Sequence, residues 1–202
     1  MGDHRQLKDT RGFTLIELLI VVAIVTILAA IAIPQFNSYR TRGYNSSALS
    51  DLRNARSAEE AFYSDCRVYS SSKADGSPGI GLPLTSASAP VTIAQFGISA
   101  EAPDDATTFT TGISQNVQLV ISTSADGVSF VMASKNTAGD RCNGTDSDVT
   151  TLYWTNGQLG QAMSNASLPA AVDKANDLNG VAGTGICNGL TDGTGQKDWT
   201  AL

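Results

Sequence analysis

An α+β fold, with one long N-terminal helix whose second half packs on a roughly four-stranded antiparallel sheet, is predicted by three features of the 202-residue sequence. A 21-residue apolar run, Phe13 to Ile33, gives way to a stretch whose apolar residues recur every three or four positions, as on one face of a helix. Segments rich in Val, Ile and Thr come only later, between residues 91 and 158, and are punctuated by turn dipeptides. Charged residues make up 16% of the chain, against roughly 25% in ordinary soluble domains. Ser and Thr number 41 and Gly 19, a mix suited to strands and loops rather than to a charged helical bundle. The formal charge of −6 removes the attraction to phosphates on which general nucleic-acid binders depend.

The apolar run from Phe13 to Ile33 sets the character of the N-terminal region. As a helix it is about 31 Å long, the thickness of a bilayer's hydrocarbon core. Its only polar members are Thr14, Glu17 and Thr26. Residues 1–12 carry Arg5, Lys8 and Arg11 against Asp3 and Asp9, so this flank stays cytoplasmic and the remainder faces outward. An ordinary secretory signal has a shorter apolar core with its small-residue cleavage site behind it; here the small residue, Gly12, stands in front. Glu17 is the second oddity, because an acid within a membrane helix costs about 2.5 to 3.5 kcal/mol on insertion scales. It snorkels to the membrane edge or finds a partner.

The string Arg11-Gly12-Phe13-Thr14-Leu15-Ile16-Glu17, its aliphatic continuation and then Ala32-Ile33-Pro34-Gln35-Phe36 resemble the processing and assembly segment of type IV pilins and their pseudopilin relatives. The resemblance implies a leader, residues 1–12, cut between Gly12 and Phe13 by a prepilin peptidase, with methylation of the new amine on Phe13. It implies an inner-membrane precursor, handled by an assembly platform, that polymerises with itself through residues 13–35 into an extracellular filament. Phe13, Glu17 and Pro34 are the assembly residues, the fold is the pilin fold, and no cofactor is implied. Physically, a free amine on Phe13 and the Glu17 carboxylate of a neighbouring copy neutralise each other in a dry helical bundle, and breaking such a pair leaves a buried charge costing about 3 to 5 kcal/mol. Pro34 has no amide hydrogen, so a bend or melted turn is expected around Ala30 to Pro34. Thr26 stands where relatives often carry a helix-loosening glycine, and its hydroxyl is able to bond back to the preceding turn.

From 36 to 65 the pattern is amphipathic. Ala48, Leu52, Ala55, Ala58 and Phe62 form one stripe, while Arg53, Arg56, Ser57 and Glu60 lie on other faces, and Gly43 is a candidate second kink. Residues 66–90 hold clustered Gly, Pro and Ser without a sustained period and read as a connecting loop. Strand signals follow at Val91 to Ile98, Thr107 to Ile113, Asn116 to Ser122, Val128 to Ser134 and Thr150 to Thr155, with Asp126-Gly127 closing the clearest hairpin and Asn156-Gly157 a further turn. Asp104-Asp105 and the acid-rich stretch 140–148 read as solvated surface. Residues 159–202 read as irregular, with a short helix possible at Pro169 to Asp177.

Cys66, Cys142 and Cys187 all lie on the exported side, where disulfides are favoured. The family commonly closes a C-terminal loop with one bridge, which the resemblance places between Cys142 and Cys187; pairing of Cys66 with either remains open. Metal binding is not expected, since three separated thiols without histidine lack a ligand spacing. Pseudopilins hold calcium in C-terminal loops, and Asp173, Asp177, Asp192 and Asp198 lie there, but no stretch matches an EF-hand loop. Asn45, Asn143 and Asn165 begin N-x-[ST] triplets. Phe13, Phe36, Tyr39, Tyr44, Phe62, Tyr63 and Tyr69 line the long helix and its exit, a series read as packing or, alternatively, as the path of an electron-conducting filament. No catalytic residue is assigned. The one histidine, His4, falls in the leader, so the mature chain lacks a Ser-His-Asp or Cys-His arrangement, and no phosphate-cradling Gly loop is present. The expected function is that of a structural subunit, the major pilin of a type IV pilus; the alternative is a pseudopilin or minor pilin of a type II secretion or DNA-uptake system.

Overall fold

A computed structural model of the chain describes residues 12–70, 79–80, 84–85, 91–94, 108–163, 177–187 and 198–202. The helix α1, Leu15–Cys66, is continuous over 52 residues. The chain divides into two compact units, one ending at Arg40 and one running from Thr41 to Leu202, and α1 contributes to both. The helix passes through Pro34 without a melted turn, and Gly43 does not break it. Proline removes one rung of the ladder, and the Ala and Ile residues before it sustain the rest. The helix stops at Cys66 because Arg67 turns left-handed (φ 59°), and its amide closes the last turn onto the Tyr63 carbonyl at 2.9 Å.

Among the described residues nine strands follow: β1 Gly79–Ile80, β2 Leu84–Thr85, β3 Val91–Ala94, β4 Thr108–Thr111, β5 Val117–Thr123, β6 Phe130–Asn136, β7 Arg141–Asp146, β8 Leu152–Asn156 and β9 Thr200–Ala201. The main sheet is antiparallel in the order β1-β5-β6-β7-β8-β9, with β2 also on the outer edge of β5. Its four long members, β5 to β8, are the body of the sheet. β3 and β4 pair only with each other, in a separate two-stranded sheet, so the expectation of one sheet over 91–158 is corrected to two. The expected strand residues 95–98 and 107 lie outside the described residues.

The β5–β6 hairpin is in register from Val117↔Asn136 to Thr123↔Phe130. Its turn uses Asp126-Gly127: Gly127 takes φ 75°, a conformation that L side chains resist, and the Asp126 carboxylate accepts the Ser124 hydroxyl at 2.7 Å. Three readings of polar stretches are corrected. The 66–90 segment contributes β1 and β2. The acid-rich stretch 140–148 contains a central strand, β7, whose residues from Cys142 to Asp146 are buried. The C-terminal end supplies β9 and Trp199, which is wholly buried. Of the helix expected at Pro169 to Asp177, residues 169–176 lie outside the described residues. The Asn156-Gly157 step is no tight hairpin; Gly157 donates its amide to Asp140 O at 2.8 Å.

The sheet is covered on both sides, which explains why β5, β6 and β7 do not alternate between buried and exposed residues. On one face Ala48, Leu52 and Ala55 of α1 pack with Val117, Leu119, Ile121, Phe130 and Met132. On the other, Val120, Val131, Ala133, Cys142 and Tyr153 pack with Met163, Leu178, Cys187 and Trp199 from the C-terminal segment. Gly144 is the point of closest approach on this second face: a Cβ there would lie 2.8 Å from Trp199 Cζ3 and 2.9 Å from Leu178 Cδ1. Gly144→Ala is therefore expected to lose about 1 to 3 kcal/mol from overpacking, read as a lower unfolding midpoint in guanidinium; an unchanged midpoint would show that the C-terminal layer yields freely.

Polar side chains of α1 fasten the connections. Asn45 exchanges hydrogen bonds with Asp140 in the β6–β7 turn, at 2.6 and 3.2 Å. Asp51 accepts the Ser114 amide at 2.7 Å and hydroxyl at 3.0 Å, just before β5. Arg56 donates to Thr145 Oγ1 (2.8 Å) and to the Val149 carbonyl (2.6 Å). Glu59 is fully buried and accepts the amide (3.0 Å) and hydroxyl of Ser70, fixing the chain as it leaves the helix.

Burial pushes the Glu59 carboxyl up to about 7, with Glu60 adding to the effect and the Ser70 bonds opposing it. The folded protein holds this proton between the ordinary carboxylate range and about pH 7, whereas the unfolded chain releases it. The contribution to stability is thus complete below about pH 4.5 and lost above about pH 7. A shift of this size corresponds to about 3 kcal/mol. Glu59→Gln keeps an acceptor for Ser70 and removes the titration, so the stability gap between variant and wild type should change in the variant's favour from pH 4.5 to pH 8; parallel profiles would contradict this. Comparing the two cancels the contribution of Asp146, which burial also pushes up.

Candidate processing and assembly site

The first helical turn is organised by Thr14 and Glu17. Gly12, Phe13 and Thr14 precede the helix, and Thr14 sits at the N-cap. Its hydroxyl accepts the Glu17 amide at 3.3 Å, and Glu17 Oε2 in return accepts the Thr14 amide (2.8 Å) and hydroxyl (2.7 Å). This is a reciprocal capping box, Thr-x-x-Glu, and the negative side chain also lies at the positive end of the helix dipole. Sequence reasoning assigned Glu17 to an amine on Phe13 and passed over Thr14, although the T-x-x-E spacing was there to be read. Phe13 is 92% exposed, and the carboxylate of its own chain faces Thr14 instead.

Beyond the cap the apolar part of the helix is bare. Its most apolar 18-residue window has a mean hydropathy of 3.0 and none of it is buried, so by length and composition it is able to cross a membrane. Leu15, Ile16, Leu18, Leu19 and Ile20 each expose more than half of their surface. Thr26 bonds its hydroxyl back to the Val22 carbonyl at 2.7 Å, which removes its polar group from an otherwise aliphatic surface. Pro34 continues this segment within the helix, with Phe36 and Tyr39 also exposed.

The other residues singled out in the sequence lie in the sheet-bearing unit. Cys142 in β7 and Cys187 in the 3₁₀ turn Gly185–Cys187 form a disulfide, with Cα atoms 5.8 Å apart. Cys66 is buried and takes no part in this disulfide. Among the described residues no group of three or more His, Cys, Asp or Glu side chains is placed to hold a metal; Asp173 and Asp192 lie outside them. Asn143 is buried in β7, out of reach of a glycan, and Asn45 donates its amide to Asp140; Asn165 lies outside the described residues. The aromatic series splits. Tyr63 and Tyr69 stack at 4.5 Å, Tyr69 meets Phe130 edge-on at 4.6 Å, and Phe62 is buried, whereas Phe13, Phe36 and Tyr39 stay exposed.

The prokaryotic N-terminal methylation motif matches residues 7–33, the segment that contains this cap and the exposed helix. The type IV major pilin protein PilA of Myxococcus xanthus is 52% identical over 60 residues, which is 30% of this chain and 27% of that protein. A fimbrial protein of Pseudomonas aeruginosa is 51% identical over 55 residues, 27% of this chain and 36% of its own. With the type IV wide pilus major component PilA4 of Thermus thermophilus the identity is 38% over 94 residues, 46% of this chain and 70% of that protein. No solved structure matches the chain. The chain belongs to the type IV pilin family. It spans only 27% and 36% of the length of the M. xanthus and P. aeruginosa relatives.

Proposed function

We propose that this chain is the major structural subunit of an extracellular type IV pilus, cleaved after Gly12, methylated on Phe13 and polymerised through its apolar helix. The observation that carries the reading is an unburied apolar segment at the start of α1 with a single carboxylate, Glu17, in its capped first turn. Such a surface is stable in lipid or against copies of itself and nowhere else in water. The inner membrane holds the precursor, a prepilin peptidase acts on the cytoplasmic side, and an assembly platform transfers the helix into the filament. Glu17 uses Oε2 for its own cap, and Oε1 remains for the Phe13 amine of a neighbouring copy. Pro34 leaves the Ala30 carbonyl without its helical donor and gives the bundle a place to adjust. Relatives named as the major component of a pilus favour this reading over a pseudopilin or minor pilin.

The test is the intact mass and N-terminal sequence of the protein in fibres sheared from the cell surface. The expected result is a dominant species beginning at N-methylated Phe13; an uncut protein confined to the membrane would overturn the proposal. Gly12→Val should block cleavage, because a side chain at this position keeps the backbone from the protease, and only the longer precursor should be seen on a gel.

A further inference from the structure

We infer that Arg53 and Glu60 form an intersubunit ion pair that sets the axial offset between copies of this chain; the inference rests on the filament reading above. Both residues are on the exposed side of α1, opposite the stripe of Ala48, Leu52, Ala55, Glu59 and Phe62 that is buried against the sheet. Seven residues separate them, which is two turns, so they share one helix face about 10.5 Å apart along the axis. Ser57 stands between them and is exposed. Together with Arg56, Thr150 and Leu152 these three residues line one concave surface beside the helix.

The two charges have different ties within the chain. Arg56 is spent on Thr145 and Val149. Arg53 has no hydrogen bond or ion pair among the described residues, and Glu60 accepts only the Tyr69 hydroxyl, at 3.2 Å. A cation and an anion on one face, too far apart to meet each other, are complementary to a second copy of the same face. Membrane insertion orients all copies alike, so their helices run parallel. A parallel copy displaced by two turns sets its Glu60 against the first copy's Arg53, and the small Ser57 lets the helices approach. In an unshifted copy like charges meet, Arg53 on Arg53 and Glu60 on Glu60. The pair thus favours one stagger and opposes another, which is how exposed charges specify register better than they add affinity.

The experiment uses the full chain in cells. A chain carrying both Arg53→Cys and Glu60→Cys should, on mild oxidation of sheared fibres, run as a ladder of covalent multimers, while each single variant gives no ladder beyond the dimer. Arg53→Glu and Glu60→Arg should each lower fibre yield at least about tenfold, and the two together should restore it, as expected where like charges are destabilising and their exchange re-forms the pair. Fibres in which the double cysteine variant stays monomeric, or crosslinks to a protein of another mass, overturn the inference. Failure of the filament reading itself looks different, because then the wild-type chain yields no fibres to oxidise.

Discussion

Glu17→Ala is expected to enter the membrane normally and to yield no detectable fibres. Removing an acid from the apolar segment lowers the insertion penalty by about 2.5 to 3.5 kcal/mol, so the membrane-bound pool should be undiminished. In the proposed filament the same change leaves a Phe13 amine without its carboxylate, an expected loss of about 3 to 5 kcal/mol at each contact, or about two to four orders of magnitude in association. The alanine variant also loses the capping box, worth about 1 kcal/mol. Glu17→Gln separates the two effects: an amide oxygen still accepts from Thr14, as Glu17 Oε2 does, but the charge is gone. Fractionation into membrane and sheared-fibre pools should show both variants in the first and neither in the second. Fibres from the glutamine variant at wild-type abundance would assign Glu17 to its own helix start and remove the intersubunit amine from the account.

The second large effect is expected from the double change Cys142→Ser, Cys187→Ser. The bridge joins β7 to the 3₁₀ turn across a sequence separation of 45, and both cysteines are wholly buried beside Leu178 and Trp199. Closing a loop of that length limits the unfolded chain by about 4 kcal/mol on the chain-entropy account. Its loss should release the C-terminal layer from the sheet before α1 leaves the opposite face. Denaturation of the full chain in detergent micelles, followed by tryptophan fluorescence, should show a markedly lower midpoint and an early phase from Trp199. A single transition at the wild-type midpoint would mean that the apolar contacts of this layer suffice. Changing both cysteines together matters, because Cys66 lies outside the bridge and on unfolding would offer a lone Cys187 a new partner.

The parts legible in the chain were those set by short-range physics. The apolar run, the stripe from Ala48 to Phe62 and the Asp126-Gly127 turn are each local patterns, and α1 and the β5–β6 hairpin follow them. Thr14 is legible in the same local terms, as the first residue of a Thr-x-x-Glu capping box. The strand β7 was illegible for a different reason. Arg-Cys-Asn-Gly-Thr-Asp has neither alternation nor β-branched density, and it becomes a central strand because β6 and β8 satisfy its backbone on both edges. Asp146 is buried there because it accepts the amides of Asp148 at 2.8 Å and Asp177 at 2.7 Å. Glu59 and Asp51, polar by composition, are buried for the same cause, each holding a backbone amide of a distant segment.

The primary structure by itself determined that Gly12-Phe13 stands directly before an apolar segment long enough, as a helix, to cross a membrane, with one carboxylate near its tip, since those properties belong to consecutive residues and need no partner from elsewhere. Only the tertiary structure decided that the C-terminal segment is a third layer, with Trp199 sealed against Gly144, and that α1 carries its own clasps for four connections. The reason is one of range. Periodicity reports which face of an element is apolar, but burial of a Gly, an Asp or a Trp in an irregular stretch depends on what long-range pairing brings opposite it, and that is settled only when the whole sheet is assembled.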